Sequence, residues 1–316
     1  MRVRPLLAAL TVLAASALVV LPGVAPAAGP AHASYEPRFE PAPCPDLPEP
    51  LALPTARCGF LVVPENRSQP DGRTIRLAVA IVPAVSPQPA PDPIVHLTGG
   101  PGGIAIFEGR LLIEAGFNQN RDLILMNQRG TFLSEPALTC GAIDRFNRLQ
   151  VGLPLDARST RRKHVAATRE CRRELVARGI DIAAYNTTEN AADFADLRRA
   201  LGYDRWNVFG VSYGTYLAQT IMRDHPEGIR SVILDSTVPL SVVDLAGFWP
   251  NARDGIQNIF GACKAQARCR GSFPNLERTF TKLVRRLESD PVRTTVAAGK
   301  PPSCWTEGRS PTGSSA

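Results

Sequence analysis

The segment Gly210-Val211-Ser212-Tyr213-Gly214 has the pattern G-x-S-x-G and lies where an apolar run, 206–209, gives way to a segment with helical periodicity. This context predicts a sharp turn between a buried strand and a helix, with Ser212 at its apex. Such a turn leaves little room for side chains two residues before and after the serine, and both positions are glycine. The turn lifts the hydroxyl above the sheet, which makes Ser212 the candidate nucleophile.

A glycine-rich segment precedes this turn by about 110 residues, the chain order expected of an early strand-to-helix loop. It reads Leu97-Thr98-Gly99-Gly100-Pro101-Gly102-Gly103 and follows the strand-like run 93–96. Its glycines leave backbone amides uncovered, as an oxyanion hole requires, because preorganised N–H donors stabilise a developing alkoxide. We therefore expect the amides of Gly100 and Tyr213 to form that hole. The alternative is a flexible loop without a catalytic role.

Three motifs in a fixed order give the chain a family resemblance: Gly99-Gly100-Pro101-Gly102, Asn127-Gln128-Arg129-Gly130-Thr131 and Gly210-Val211-Ser212-Tyr213-Gly214-Thr215. They resemble the prolyl and tripeptidyl aminopeptidase family of α/β-hydrolases, especially its secreted, disulfide-bearing bacterial members. The resemblance runs from about Cys44 to about Pro291. The middle motif usually begins with Asp in that family, so Asn127 is a departure that removes a charge.

The resemblance implies an α/β-hydrolase fold, with a mostly parallel sheet, flanking helices and the start of a helical cap. It also implies an amino-terminal peptidase that acts on a peptide or a small amide or ester. An esterase or lipase on the same fold is one alternative, because the fold does not fix the leaving group. A non-catalytic product is the other. A serine with an oxyanion hole needs no cofactor, so none is expected.

A serine nucleophile needs a base, and in this fold the triad follows the chain order serine, acid, histidine. The histidines are His32, His96, His164 and His225. Only His225 follows Ser212, and it ends the helix that the serine begins, roughly 15–20 Å away. We expect it to be an exposed helix-end residue. Asp235, after the apolar run 231–234, is a candidate acid; alternatively, it supports the loop that follows.

The end of the sequence differs in character from the rest. Residues 301–316 lose apolar periodicity and carry Cys304, the cysteine left over from the pairs described below. In the resembled family the triad acid and histidine come much later in the chain. We therefore expect that a frameshift near Pro302 has truncated the chain, removing the last strands with both residues and impairing catalysis. A natural polar tail is the alternative.

The amino terminus has the pattern of a secretory signal peptide. Arg2 and Arg4 precede an uncharged run from Leu6 to Leu21, and Ala31-His32-Ala33 offers a cleavage site. The run is about 16 residues, shorter than the ~20 of a membrane-spanning helix, so we expect secretion and no stable membrane anchor. The expected organisation is a signal peptide at 1–33, a core at 34–241, a helical cap at 242–300 and the atypical tail at 301–316.

Cysteine spacing agrees with export to an oxidising compartment, where close pairs are typical of disulfides. The expected pairs are Cys44–Cys58, Cys140–Cys171 and Cys263–Cys269. Paired C-x-x-C or histidine spacings typical of zinc are absent from the sequence.

The formal charge of +7 is scattered along the chain, which does not indicate a nucleic-acid partner. Nothing in the sequence fixes an oligomeric state.

Alternating apolar patterns predict an α/β rhythm. Six strands are expected, near 58–63, 74–82, 94–97, 123–127, 206–209 and 231–234. Helices are expected near 160–178, 189–201, 217–223, 252–267 and 275–287. Thr188 is the expected N-cap of the second helix.

Overall fold

The computed structural model describes residues 35–49, 51–53, 55–150, 153, 157–242 and 248–290. The chain divides into two compact units, the first ending at Ser241 and the second beginning at Val242. The expected signal peptide and the atypical tail with Cys304 lie outside the described residues. No helix within the described ranges is long and apolar enough to cross a membrane.

The first unit is built on one seven-stranded sheet. Its strands are β1 (Arg38–Pro41), β2 (Arg57–Pro64), β3 (Thr74–Val82), β4 (Ile94–Leu97), β5 (Leu123–Met126), β6 (Trp206–Val211) and β7 (Ile229–Asp235). Their spatial order is β1-β2-β3-β5-β4-β6-β7. The first three strands and the β3–β5 pair are antiparallel, whereas β5, β4, β6 and β7 run parallel. The carboxyl ends of these four strands therefore share one edge of the sheet, where ligands bind in open α/β folds.

Five helices belong to this unit: α1 (Ala105–Glu114), α2 (Gly141–Gln150), α3 (Arg158–Ala177), α4 (Thr187–Ala200) and α5 (Tyr213–Asp224). Alternate residues of β3 enter two different apolar clusters, because successive side chains of a strand point to opposite faces of the sheet. One cluster contains Leu77 with side chains of α4 and α5. The other contains Ala80 with side chains of α1. Helices therefore bury both sides of the sheet.

The second unit comprises three helices, α6 (Phe248–Ala265), α7 (Ala267–Ser272) and α8 (Leu276–Ser289). Phe260 of α6 packs edge-on against Phe280 of α8, with ring centroids 5.6 Å apart. The helix expected near 252–267 is present as α6, but it ends at Ala265, because Gln266 takes an extended conformation before the short helix α7 begins.

The predicted strands are all present, but β1 was missed because its four residues adjoin a proline-rich segment. Helices α1 and α2 were also missed. The predicted N-cap of α4 was wrong. The helix begins at Thr187, and Asn186 caps it by accepting a hydrogen bond from the amide of Glu189. Asn ranks at least as high as Thr at this position.

The three expected disulfides are confirmed: Cys44–Cys58, Cys140–Cys171 and Cys263–Cys269. The first joins the proline-rich lead-in to β2, and the second joins the residue before α2 to α3. The third links α6 to α7 within the second unit. Each bridge thus closes a local loop between neighbouring elements.

Candidate active site

Ser212 lies at the sharp turn between β6 and α5. Its backbone has φ 55° and ψ −122°, a left-handed conformation uncommon for a residue with a side chain. The Ser212 amide donates to the carbonyl oxygen of Asp235 at 3.0 Å, and its own carbonyl accepts from the amide of Thr215 at 2.9 Å. Such strain persists only where the surroundings impose it, and it is concentrated at functional sites.

The two glycines that flank this serine have steric reasons to be glycine. A Cβ on Gly210 would lie 2.5 Å from the carbonyl oxygen of Gly214. A Cβ on Gly214 would lie 1.9 Å from the carbonyl oxygen of Leu97, at the end of β4. Since both contacts are with backbone atoms, no side chain rotation relieves them. The turn is therefore packed directly against β4.

The glycine-rich loop that follows β4 lies against the serine. A Cβ on Gly99 would lie 3.0 Å from Ser212 Cβ and 3.4 Å from its Oγ. Gly100 has φ 112°, a conformation open to glycine, and its amide has no backbone acceptor in the described part of the chain. Tyr213 is the first residue of α5, so its amide has no partner inside the helix. The loop and the start of α5 thus meet at the serine side chain.

The histidines of the described ranges lie elsewhere. His96 is buried in β4, with Nε2 2.5 Å from Glu108 Oε2. His164 lies on α3, where its ring stacks on Phe146 at 4.8 Å. His225 is the C-cap residue after α5, roughly 15–20 Å along the helix from Ser212. None of these three hydrogen-bonds to Ser212, and His32 lies outside the described residues.

Asp235 ends β7, beside the serine turn. Its backbone carbonyl takes the Ser212 amide, whereas its carboxylate accepts a hydrogen bond from Ser236 Oγ at 3.0 Å. The side chain is exposed. No histidine within the described ranges bonds to this carboxylate. As the triad acid, Asp235 stays a prediction.

Sequence reasoning missed a buried ionic network behind the site. Arg129 makes a bidentate pair with Asp193, with Nε–Oδ2 and Nη2–Oδ1 both 2.7 Å. Arg67 reaches Asp193, Asp196 and Glu189. Burial lowers the pKa of Arg67, but the carboxylates of Asp193 and Asp196 outweigh it and raise that pKa, so the guanidinium stays charged. The spacing of the three acids along one helical face was the available signal.

A second missed group is Glu108 on α1. Its carboxylate accepts a hydrogen bond from the hydroxyl of Thr98 and contacts Nε2 of His96. Burial raises the pKa of Glu108, but the hydrogen bonds from His96 and Thr98 outweigh burial and leave it below the ordinary value. The ionised carboxylate therefore anchors both the end of β4 and the first residue after it.

A cavity of about 320 Å³ opens beside the site. It lies between the glycine-rich loop and the Gln-Arg-Gly loop, and its lining includes Pro101, Gly102, Gly130, Tyr185 and Tyr213. This volume is at the lower end of the roughly 300–1,000 Å³ typical of small-molecule sites. No group of His, Cys, Asp and Glu in the described residues is placed to hold a metal ion.

Comparison with known proteins adds a family. Residues 92–298, about two thirds of the chain, match the family described as the alpha/beta hydrolase fold. The chain is 28% identical over 233 residues to the serine protease Hip1 of Mycobacterium tuberculosis, covering 68% of this chain and 42% of that protein. It is 28% identical over 201 residues to the tripeptidyl aminopeptidase of Streptomyces coelicolor, covering 61% and 36%.

A shorter match is 35% identical over 123 residues to the proline iminopeptidase of Xylella fastidiosa, covering 38% of each protein. The chain thus spans about two fifths of the length of these relatives. Among solved structures, a proline iminopeptidase-related protein from Thermus thermophilus aligns at 21% identity with a TM-score of 0.33, over 56% of this chain and 44% of that one. From the match over residues 92–298, the chain belongs to the α/β-hydrolase family.

Proposed function

We propose that the chain is a serine hydrolase of peptidase lineage, which releases amino-terminal residues or short peptides through an acyl-enzyme on Ser212. The observation that carries the proposal is the left-handed serine between β6 and α5, with the glycine-rich loop packed on its side chain. A strained strand-to-helix turn of this kind presents the hydroxyl to a substrate carbonyl.

In the proposed first step, Ser212 Oγ attacks the substrate carbonyl carbon while its proton passes to a base. The carbonyl oxygen becomes an oxyanion, to which the amides of Gly100 and Tyr213 donate. Each such donor is worth about 3 kcal/mol of barrier. The base returns this proton to the amine nitrogen as the tetrahedral intermediate collapses, so that the amine leaves and the acyl group remains on Ser212. Water then releases the acid and regenerates the serine.

In the described part of the chain, no histidine is placed to act as the base for Ser212. Since His96 is engaged with Glu108, and His225 follows the far end of α5, neither serves Ser212. We propose that the chain therefore turns over slowly, by the residual catalysis that an oxyanion hole and binding supply without a complete triad. A non-catalytic product is the limiting case of the same argument.

Peptidase activity is favoured over esterase activity by the curated relatives, which are named for peptidases. The fold alone does not choose between them. The test is turnover of alanyl-, prolyl- and tripeptidyl-arylamides beside p-nitrophenyl esters, with Ser212→Ala as the blank. Arylamide cleavage that disappears in the variant supports the peptidase assignment. Ester cleavage alone supports the esterase.

We further propose that the protein works outside the cytoplasm. The three disulfides support an oxidising compartment, because such bonds do not persist among cytosolic thiols. The amino-terminal pattern at 1–33 supplies a route for export. Edman sequencing of protein recovered from the culture medium tests this, with Ser34 as the expected first residue. Cell-retained protein that begins at Met1 contradicts it.

A further inference from the structure

The Gln-Arg-Gly motif contacts the glycine-rich loop. The side chain amide of Gln128 donates from Nε2 to the carbonyl oxygen of Thr98 at 3.1 Å. Both residues are buried, with 3% and 1% of their surface exposed. Thr98 directly precedes Gly99, the residue that packs on Ser212. Gln128 is therefore hydrogen-bonded directly to the loop that is proposed to bind the oxyanion.

Gln128 is itself held in place. Its carbonyl accepts from the amide of Thr131 at 3.2 Å and from the Thr131 hydroxyl at 2.7 Å. These bonds close the turn that contains Arg129 and Gly130. The backbone that carries the Gln128 side chain is therefore held by hydrogen bonds. Because the side chain is also buried, its amide is restricted in position.

Arg129 anchors this turn to the body of the protein. In addition to its pair with Asp193, Nη1 donates to the carbonyl oxygens of Glu65 and Ala184, both at 2.7 Å. Nη2 lies 3.5 Å from Glu189 Oε2. An arginine offers five N–H donors, and four hydrogen bonds to other parts of the protein hold this guanidinium in place. Arg129 is therefore anchored away from the substrate, although its loop lines the cavity beside the site.

Thr98 makes a second hydrogen bond, to a different element of the fold. Its hydroxyl donates to Glu108 of α1, while its carbonyl accepts from Gln128. The residue before the glycines is thus fixed at its hydroxyl by α1 and at its carbonyl by the loop that follows β5. The glycines that follow have little means of holding their own position, because they lack side chains.

We propose that Gln128 and Arg129 are positioning residues that fix the oxyanion loop against Ser212. This inference rests on the proposed function. It assigns a role to a motif that is otherwise only a mark of family resemblance. A catalytic group displaced by about 1 Å costs about 10²-fold in rate, and supports of this kind hold such groups to about 0.5 Å.

The test uses Gln128→Met, which keeps the length and volume of the side chain but removes its donor. A fluorophosphonate probe reports on the loop, because phosphonylation of Ser212 places a developing oxyanion in the hole. We expect the maximal labelling rate to fall about 10²-fold with little change in the probe concentration at half-maximal rate. Gln88→Met, at an exposed position, is the matched control.

A second reaction separates loop displacement from collapse of the site. In a Ser212→Cys background, alkylation by iodoacetamide forms no oxyanion. Gln128→Met should therefore leave alkylation within about twofold while phosphonylation falls. Equal losses in both reactions overturn the proposal, as does phosphonylation unchanged by the variant. If Gln128→Met does not fold, Gln128→Asn, which is one methylene short of Thr98, undergoes the same two measurements. Wild-type protein that fails to label at Ser212 refutes the proposed function instead.

Discussion

Gly214 lies directly beneath the carbonyl oxygen of Leu97, so close that a Cβ at this position would approach that oxygen to 1.9 Å. The first turn of α5 and the end of β4 are therefore in backbone contact. Because the glycine-rich loop directly follows Leu97, this contact fixes the distance between that loop and Ser212. Gly214 is therefore needed for the position of Ser212, because any larger residue would push α5 away from β4.

Gly214→Ala is predicted to destabilise the protein by more than the roughly 1–3 kcal/mol of ordinary overpacking, because a backbone carbonyl must move. Labelling of Ser212 should fall as well. Thermal and urea unfolding measure the first effect. Gly255→Ala is the control, since no atom lies within 4 Å of its added Cβ; it should be neutral or stabilising. Equal behaviour of the two variants contradicts the packing argument.

Asn127→Asp restores the residue usual in the resembled family, yet it should destabilise this chain. Asn127 is fully buried and uses its amide in both directions, accepting from the amide of Ile106 at 3.1 Å and donating to the carbonyl of Phe132 at 2.8 Å. A carboxylate cannot donate, so about 1–3 kcal/mol should be lost at neutral pH.

The loss in Asn127→Asp should depend on pH. Burial and the facing carbonyl raise the pKa of the introduced carboxyl in the folded state, and its protonated form can donate to Phe132. Stability is therefore retained in acid and lost as the pH rises through that raised pKa. Urea unfolding across pH measures the trend, with the exposed Asn120→Asp as control. A variant as stable as wild type at neutral pH contradicts the prediction.

Glu108→Gln should show the opposite pH trend. The pKa of Glu108 is lowered in the folded state, mainly because hydrogen bonds from His96 and Thr98 outweigh the effect of burial. Its stabilisation is therefore present above the unfolded pKa and lost as the pH falls through the folded pKa. The difference in Tm between wild type and variant should be largest near neutral pH and vanish in acid. The exposed Glu114→Gln on the same helix is the control; a constant difference refutes the assignment.

Free imidazole should accelerate acylation of Ser212, because it supplies the base that the described histidines do not. Ester turnover by wild type, minus that of Ser212→Ala, should rise with imidazole concentration and be unchanged in His225→Ala. Without imidazole, arylamide turnover should remain on the order of 10³-fold or more below that of a complete triad. Robust turnover that disappears in His225→Ala would show that His225 is the base.

Local patterns in the sequence predicted the parts of the fold that local physics decides. The alternation of residues 74–82 fixed β3 to the residue, and the glycines around Ser212 predicted the turn. Cysteine spacing predicted the bridges because each closes a short loop. These features need no knowledge of distant chain.

The features that could not be predicted depend on contacts between residues that are far apart in the sequence. Arg129 and Asp193 are 64 residues apart, and Gln128 and Thr98 are 30 apart. Nothing in the sequence states that these pairs meet, since their contacts follow from how α4 packs on the sheet and how β4 and β5 pair within it. The cap of α4 was misplaced for a local reason, because Asn186 and Thr188 are both acceptable cap residues.

The central claim is that Ser212 is the nucleophile, and covalent labelling tests it most directly. Purified 316-residue chain, incubated with a fluorophosphonate with and without imidazole, is digested and the adduct located by mass spectrometry. Ser236→Ala is the matched control, because Ser236 also has a positive φ and directly follows the neighbouring strand β7. We predict an adduct on Ser212 that is faster with imidazole, persists in Ser236→Ala and is absent from Ser212→Ala. An adduct on another residue, or one that survives in Ser212→Ala, contradicts the account.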